Sequence, residues 1–192
     1  MPLPSPLQPI TAAVGPLTFP TEMLLERFTR RTLDRGELWL RSGAVCRKLA
    51  FVEAGQLRHY REHGDRTFNR WAALPGQYTT AFPSFSRGAP SEDAIEATEP
   101  TTLLELDRDV WAELRGHYPQ LQEFWVNTLE YLLVCFEDRV WSLISGDAEA
   151  RYRYMIARYP DSLLALPQHY VADMLGIAPR HLSRIRAKLA GA

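Results

Sequence analysis

The sequence predicts an α+β fold in three parts: an N-terminal antiparallel β-roll of jelly-roll type, a long dimerisation helix, and a helical C-terminal region ending in a helix-turn-helix. Three observations carry this. Between Gly36 and Asp107 apolar residues recur with a period of about two, in short runs that each end at a turn signal. From Pro119 to about Ser145 the period is helical, with no proline or glycine inside the run. The last stretch, LPQHYVADMLGIAPRHLSRIRAKLAGA, holds two short helical patterns around Gly176.

The chain has 192 residues, 46% of them hydrophobic, and a formal charge of −1, so it can bury a sizeable core but has no global basic footprint. Any nucleic-acid binding must come from a local patch. The 2 cysteines, Cys46 and Cys135, fit neither a disulfide framework nor a metal clip and read as buried thiols in a reducing cytosol. No basic leader and no apolar run of about 18 residues is present, so no membrane association is expected and a cytoplasmic location is.

Residues 1–20 carry 6 of the 14 prolines, which predicts a loosely attached, extended arm. Residues 21–35, TEMLLERFTRRTLDR, place Met23, Leu24, Phe28 and Leu33 at roughly helical spacing and predict a short amphipathic helix capped by Thr21. Strands follow in ELWLRSG, KLAFVEAG, QLRHYREHG and RTFNRWAALPG. A looser segment, Gln77 to Asp93, precedes two further strands in AIEATEPTTLLELD. RDVWAELRGHYP then gives a helix with Val110, Trp111 and Leu114 on one face.

The long helix repeats apolar residues at Leu121, Trp125, Leu129, Leu132, Phe136, Val140 and Leu143, with Phe124, Leu133 and Ile144 widening the stripe. At 1.5 Å per residue it spans about 39 Å. A dimer stalk built on Trp125, Leu129, Leu132, Phe136, Val140 and Leu143 is one reading; a helix packed on its own β-domain is the other. Gly146 breaks it, Asp147 caps a further helix with Glu149 in its first turn, and Pro160 ends that helix.

Helices over Pro167–Leu175 and Ala178–Leu189 would bury Val171, Met174 and Leu175 against Leu182, Ile185 and Leu189. The second carries four basic residues and no acidic one after Ala178: Arg180, Arg184, Arg186 and Lys188. Base reading needs donors near the start of a helix, which selects Arg180 and Arg184, four apart on one face, with His181 beside them. Gln168, His169, Ser183, Arg186 and Lys188 suit phosphate. A solvated basic face complementing the helix dipole is the competing reading.

The whole order resembles the cyclic-AMP receptor protein / fumarate-nitrate regulator (Crp/Fnr) superfamily of bacterial transcription regulators over about residues 21–190. The resemblance implies a domain plan of a 1–20 arm, a 21–116 sensor roll, a 117–145 dimerisation helix and a 146–192 DNA-binding domain. It implies a homodimer on a pseudo-palindromic stretch of double-stranded DNA, with RNA polymerase as a further partner. In it Gly176 matches the turn glycine and Arg184 the recognition-helix arginine. Pro179 and Arg180 fall where the family places two other base-reading residues, so a different DNA sequence is expected, and the usual β-hairpin wing is not expected after the last helix.

The family's phosphate-binding cassette corresponds to PGQYTTAFPSFSRGAPSEDAIEA. Its glycine-glutamate pair is replaced around Thr79, Thr80 and Ala81, and its arginine position reads Ser91, followed by Glu92 and Asp93. Two acids with no cation in register would repel a cyclic phosphate. No cofactor is therefore expected and cyclic nucleotide least of all; another small effector, lined by Trp39, Tyr60, Trp71, Tyr78, Thr79, Thr80, Phe82, Ser91 and Glu92, stays open beside no effector at all. Each aromatic is equally at home in a core.

Other classes fare worse. Two cysteines cannot supply the four thiolates of an iron-sulfur cluster within one subunit. None of the 5 histidines stands out as a haem ligand. His59 and His63 with Glu62 evoke a metal-dependent roll enzyme, but no second histidine-bearing strand is present, and neither GxSxG nor GxxxxGK[ST] occurs, so no enzyme is expected. A degenerate interaction dimer without specific DNA binding remains the alternative.

Overall fold

A computed structural model describes residues 3–64 and 66–190. Strands β1 (Thr29–Leu33), β2 (Leu38–Leu40), β3 (Lys48–Ala54), β4 (Leu57–His63), β5 (Arg66–Ala73), β6 (Tyr78–Thr79), β7 (Ala94–Ala97) and β8 (Thr101–Asp107) form two four-stranded antiparallel sheets, ordered β1-β8-β3-β6 and β2-β7-β4-β5. Helices are α1 (Leu7–Val14), α2 (Thr21–Leu25), α3 (Phe82–Arg87), α4 (Arg108–His117), α5 (Pro119–Ser145), α6 (Ala148–Arg158), α7 (Pro160–Leu164), α8 (Gln168–Leu175) and α9 (Pro179–Ala190). Contacts group these into two compact units that part inside α5. One holds the described residues up to Thr67 with Trp71–Thr128; the other holds Phe68–Arg70 and the described residues from Leu129 onward. The long helix contributes to both units.

In the first unit β3 is buried along nearly its whole length and pairs with β8 through Phe51↔Leu104 and Val52↔Leu103. A strand covered on both faces has no polar alternation, as the run KLAFVEA shows. Gly55 makes the β3–β4 turn at φ 82°, and a Cβ there would lie 2.4 Å from the Pro100 carbonyl oxygen, so no other residue fits. Phe51, Leu57, Ile95, Leu103, Trp111 and Leu121 are fully buried.

Three expectations are corrected here. The proline-rich arm is not loose: α1 puts Ile10 at 0% exposure in the core. Pro6 sits at its N-cap and Pro9 in its first turn, where the backbone N–H groups have no helical acceptor to lose. Tyr78 Oη donates to the Pro6 carbonyl at 2.8 Å, and Gln120 Nε2 donates to the Pro16 carbonyl at 2.9 Å, so the arm is fastened at both ends. The helix expected over residues 21–35 stops at Leu25, with Pro20 rather than Thr21 at the cap position. Thr29–Leu33 is instead an edge strand paired with β8 from Thr29↔Glu105 to Leu33↔Thr101. Pairing lets Arg30 reach Glu53 and Arg31 reach Glu105, carboxylates that a helix could not meet. The loose segment contains α3, whose Ser84 and Phe85 are buried.

In the second unit Tyr152, Leu163, Val171, Leu175, Leu182 and Ile185 form the core. Asp147 caps α6, accepting from the Ala150 amide at 2.9 Å, as its position predicts. Pro160 both follows the end of α6 and opens α7, a helix absent from the sequence reading, because proline is at home in a first turn. Asp138 of α5 accepts from Tyr154 Oη at 2.7 Å and Tyr159 Oη at 2.6 Å, fixing α6 along α5. These hydroxyl donors, Tyr159 foremost, hold the Asp138 carboxyl below its ordinary value.

Ile10→Ala is expected to lower unfolding free energy by about 2–5 kcal/mol in a denaturant titration. A loss within measurement error would mean that the N-terminal helix does not pack in solution.

Candidate nucleic-acid interface

Helices α8 and α9 make the predicted helix-turn-helix. Gly176 ends α8 in the left-handed region at φ 65°, and the Gly176 and Ile177 amides donate to the Asp173 and Ala172 carbonyls, both at 3.0 Å. That pair of bonds is a Schellman closure, which needs a residue without Cβ strain. Val171, Ala172, Met174 and Leu175 are buried facing Leu182 and Ile185; Leu189 is half-buried.

With that face buried, Pro179, Arg180, His181, Ser183 and Arg184 are all exposed. Among the described residues the side chains of Arg180, His181 and Arg184 have no hydrogen-bond or ion-pair partner, so their donors are available. The expected phosphate set divides. His169, its ring 4.2 Å from that of Tyr170, and Ser183 are exposed. Gln168 Nε2 donates to the Pro179 carbonyl at 2.8 Å and so closes the turn between the helices. Lys188 Nζ turns back to Glu149 at 2.7 Å, and the Arg186 guanidinium lies 5.5 Å from the Tyr152 ring centre with Nε and Nη2 buried. Lys188 and Arg153 together hold the Glu149 carboxyl below its usual range. Periodicity set these side chains off the apolar face, but only the packing of α6 shows that Arg186 and Lys188 are engaged within the domain.

The roll residues expected to line an effector pocket mostly serve the roll itself. Trp39 is buried, its indole N–H donating to Glu105 at 2.7 Å. Tyr60 carries the Arg58 guanidinium 4.4 Å from its ring centre. Tyr78 packs on Phe51 and Phe124, and burial pushes its hydroxyl pKa up. Thr79 shares a 2.8 Å hydrogen bond with buried His59, and Thr80 Oγ1 donates to the Lys48 carbonyl at 2.8 Å. His63, expected on the same side of the strand as His59, is exposed. Trp71 is half-buried; Phe82 is exposed beside Trp125. Ser91 Oγ donates to the Asp93 carbonyl at 2.8 Å.

The two acids of the cassette meet a cation from outside its register. Arg61 of β4 pairs with Glu92 at 2.5 Å and with Asp93 at 2.9 Å. It arrives from another strand, so no register along the cassette reveals it. A recess of about 190 Å³ opens elsewhere on the roll among Arg31, Trp39, Cys46, Arg47, Lys48 and Glu105; of the expected pocket residues it includes Trp39 alone.

The long helix carries the second candidate surface. Trp125 is corrected: its ring lies 5.8 Å from Trp111 and 6.1 Å from Phe82 and Phe85, under Arg115, so it belongs to the first unit's aromatic packing. Phe124 is likewise buried, and Leu129 and Leu132 are half-buried. Phe136, Val140 and Leu143 are exposed as expected, joined by Val126, Leu133, Val134, Trp141 and Ile144, between 40% and 72%. Val126, Leu133 and Val140 with Leu129, Phe136 and Leu143 form a strict seven-residue repeat, a signal present in the sequence but hidden by counting Trp125 in the stripe. No helix among the described residues is long and apolar enough to cross a membrane.

No protein-family model and no curated protein matches the chain. Solved structures do. A mutant of CooA from Carboxydothermus hydrogenoformans superposes with a TM-score of 0.75 at 17% identity, over 95% of this chain and 84% of that one. FixK2 from Bradyrhizobium japonicum gives 0.68 at 20%, over 85% of each chain. The c-di-GMP responsive global regulator CLP of Xanthomonas campestris gives 0.63 at 18%, over 89% of this chain and 90% of that one. These neighbours are Crp/Fnr-family regulators, and the two-sheet roll, long helix and C-terminal helix-turn-helix are therefore the Crp/Fnr fold.

Proposed function

We propose that the protein is a homodimeric transcription regulator that binds double-stranded DNA through α9 and does not respond to cyclic AMP. The observation that carries this is the exposed start of α9, where Arg180, His181 and Arg184 present unengaged donors on a helix whose apolar side is buried. Side chains so placed can reach base edges in a major groove, with Ser183 and His169 toward phosphate. A cytoplasmic location goes with that role.

The exposed repeat on α5 supports a parallel pair. Valine at two of the core positions, with leucine and phenylalanine between, favours two strands, and a second copy removes from water the apolar surface left bare in one. Two-fold symmetry would then set two α9 helices about one DNA turn, roughly 34 Å, apart on a pseudo-palindrome. In the roll, Arg61 is held by two carboxylates and Thr79 by His59, so a cyclic phosphate would have to break existing pairs to find a cation. The engagement of Gln168, Arg186 and Lys188 within the domain favours one alternative, an effector-binding or interaction dimer without specific DNA binding.

Arg180→Ala and Arg184→Ala are each expected to weaken binding to a selected operator by about 1–3 kcal/mol in fluorescence anisotropy. Unchanged affinity in both would leave the alternative standing. Phe136→Asp should sediment as a monomer, and a stable dimer would remove α5 from the interface. Cyclic AMP at millimolar concentration should leave the melting temperature unmoved, since only a ligand that binds the native state raises it; a dose-dependent rise would overturn the account of Arg61.

A further inference from the structure

Two helix C-termini meet one guanidinium. Neither α5 nor α8 has a basic residue in its last turn, so nothing on either helix complements the partial negative charge of its final carbonyls. Arg151, in the first turns of α6, supplies both. Its Nε donates to the Ser142 carbonyl at 3.3 Å and its Nη2 to that of Leu143 at 3.5 Å, at the end of α5. Its Nη1 donates to the Leu175 carbonyl at 2.7 Å and to that of Gly176 at 3.5 Å, at the turn of the helix-turn-helix. No carboxylate pairs with Arg151 among the described residues; Arg153, two positions on, instead makes a surface ion pair with Glu149.

The fit is steric as well as electrostatic. A Cβ on Gly176 would lie 3.5 Å from both Arg151 Nη1 and Leu143 Cδ2, so the turn is packed against this side chain and the end of α5. A planar guanidinium presents donors in a rigid fork and can serve two sets of carbonyls at once. A lysine ammonium is a compact charge with three donors on a flexible stem and holds them in no such fixed fork.

We propose that Arg151 is the positioning residue that fixes the helix-turn-helix turn to the end of α5, and through it the spacing and tilt of the two reading helices in the dimer. This rests on the DNA-binding dimer proposed above. Arg151 touches no DNA in this account; it acts by locking Gly176, and hence the start of α9, to α5. Losing the lock widens the range of α9 orientations, which degrades simultaneous docking at two half-sites more than docking at one.

The test compares wild type with Arg151→Met and Arg151→Lys, and with Arg153→Met as a control that removes the same charge from the same helix. Nitroxide labels on cysteines introduced at exposed Glu137 and Ala187, diluted with unlabelled chain, report the α5–α9 distance within one protomer without DNA. The wild type and Arg153→Met should give one narrow distribution, Arg151→Met a broad one and Arg151→Lys an intermediate one. An unchanged width in Arg151→Met overturns the proposal.

On DNA, the wild type should lose about tenfold or more in affinity when the operator's half-sites are moved one or two base pairs apart. Arg151→Met should bind a single half-site like the wild type yet discriminate little between spacings, which a residue serving only stability would not produce. Retained spacing discrimination in Arg151→Met also overturns the proposal. If the wild type binds no DNA, the regulator reading fails, and the label distances alone decide the role of Arg151.

Discussion

The unbroken backbone hydrogen bonding of α5 over 27 residues is the constraint on which the rest of this structure depends. At 3.6 residues per turn each side chain's direction is set by its place in the row, so one helix can carry several incompatible surfaces without interference. Leu121 and Phe124 enter the core of the roll, and Cys135 and Ser142 are buried further along. Val126, Leu133, Val140 and their partners are left on the opposite side. A proline in the middle would break this phase relation, since it removes a helical hydrogen bond and kinks the axis.

Several polar side chains of the roll satisfy one another. Buried polar groups are mostly paired, and several in this roll pair with groups distant along the chain: His59 with Thr79, Trp39 with Glu105, and Arg61 with the buried Asp93. Such pairing ties the strands and loops of the roll to one another.

Positive charge in the C-terminal unit is divided by the same logic. Arg151, Arg186 and Lys188 are drawn inward by helix carbonyls, an aromatic face and Glu149, and they hold the domain together. Among the described residues Arg180 and Arg184 have no such partner, and both stay exposed. These five cations thus differ in engagement according to what lies opposite each.

Neighbours close along the chain are enough to set the strands from β2 to β5 with β7 and β8, the length of α5, the Asp147 cap, the Gly176 turn and the polar start of α9. Each is set by local periodicity or by a backbone conformation that only certain residues adopt. Tertiary structure alone decided what depends on groups distant along the chain. Thr29–Leu33 became a strand because β8 offers it a hydrogen-bonding edge and the Glu105 carboxylate. Residues 7–14 became a packed helix because the roll has room for Ile10. Arg61 neutralised an acidic pair 31 and 32 residues away, Trp125 joined aromatic partners from α3 and α4, and Arg151 found two helix ends that no spacing rule connects. Pairings of that kind are chosen by the whole set of competing burials and contacts, which a local pattern does not contain.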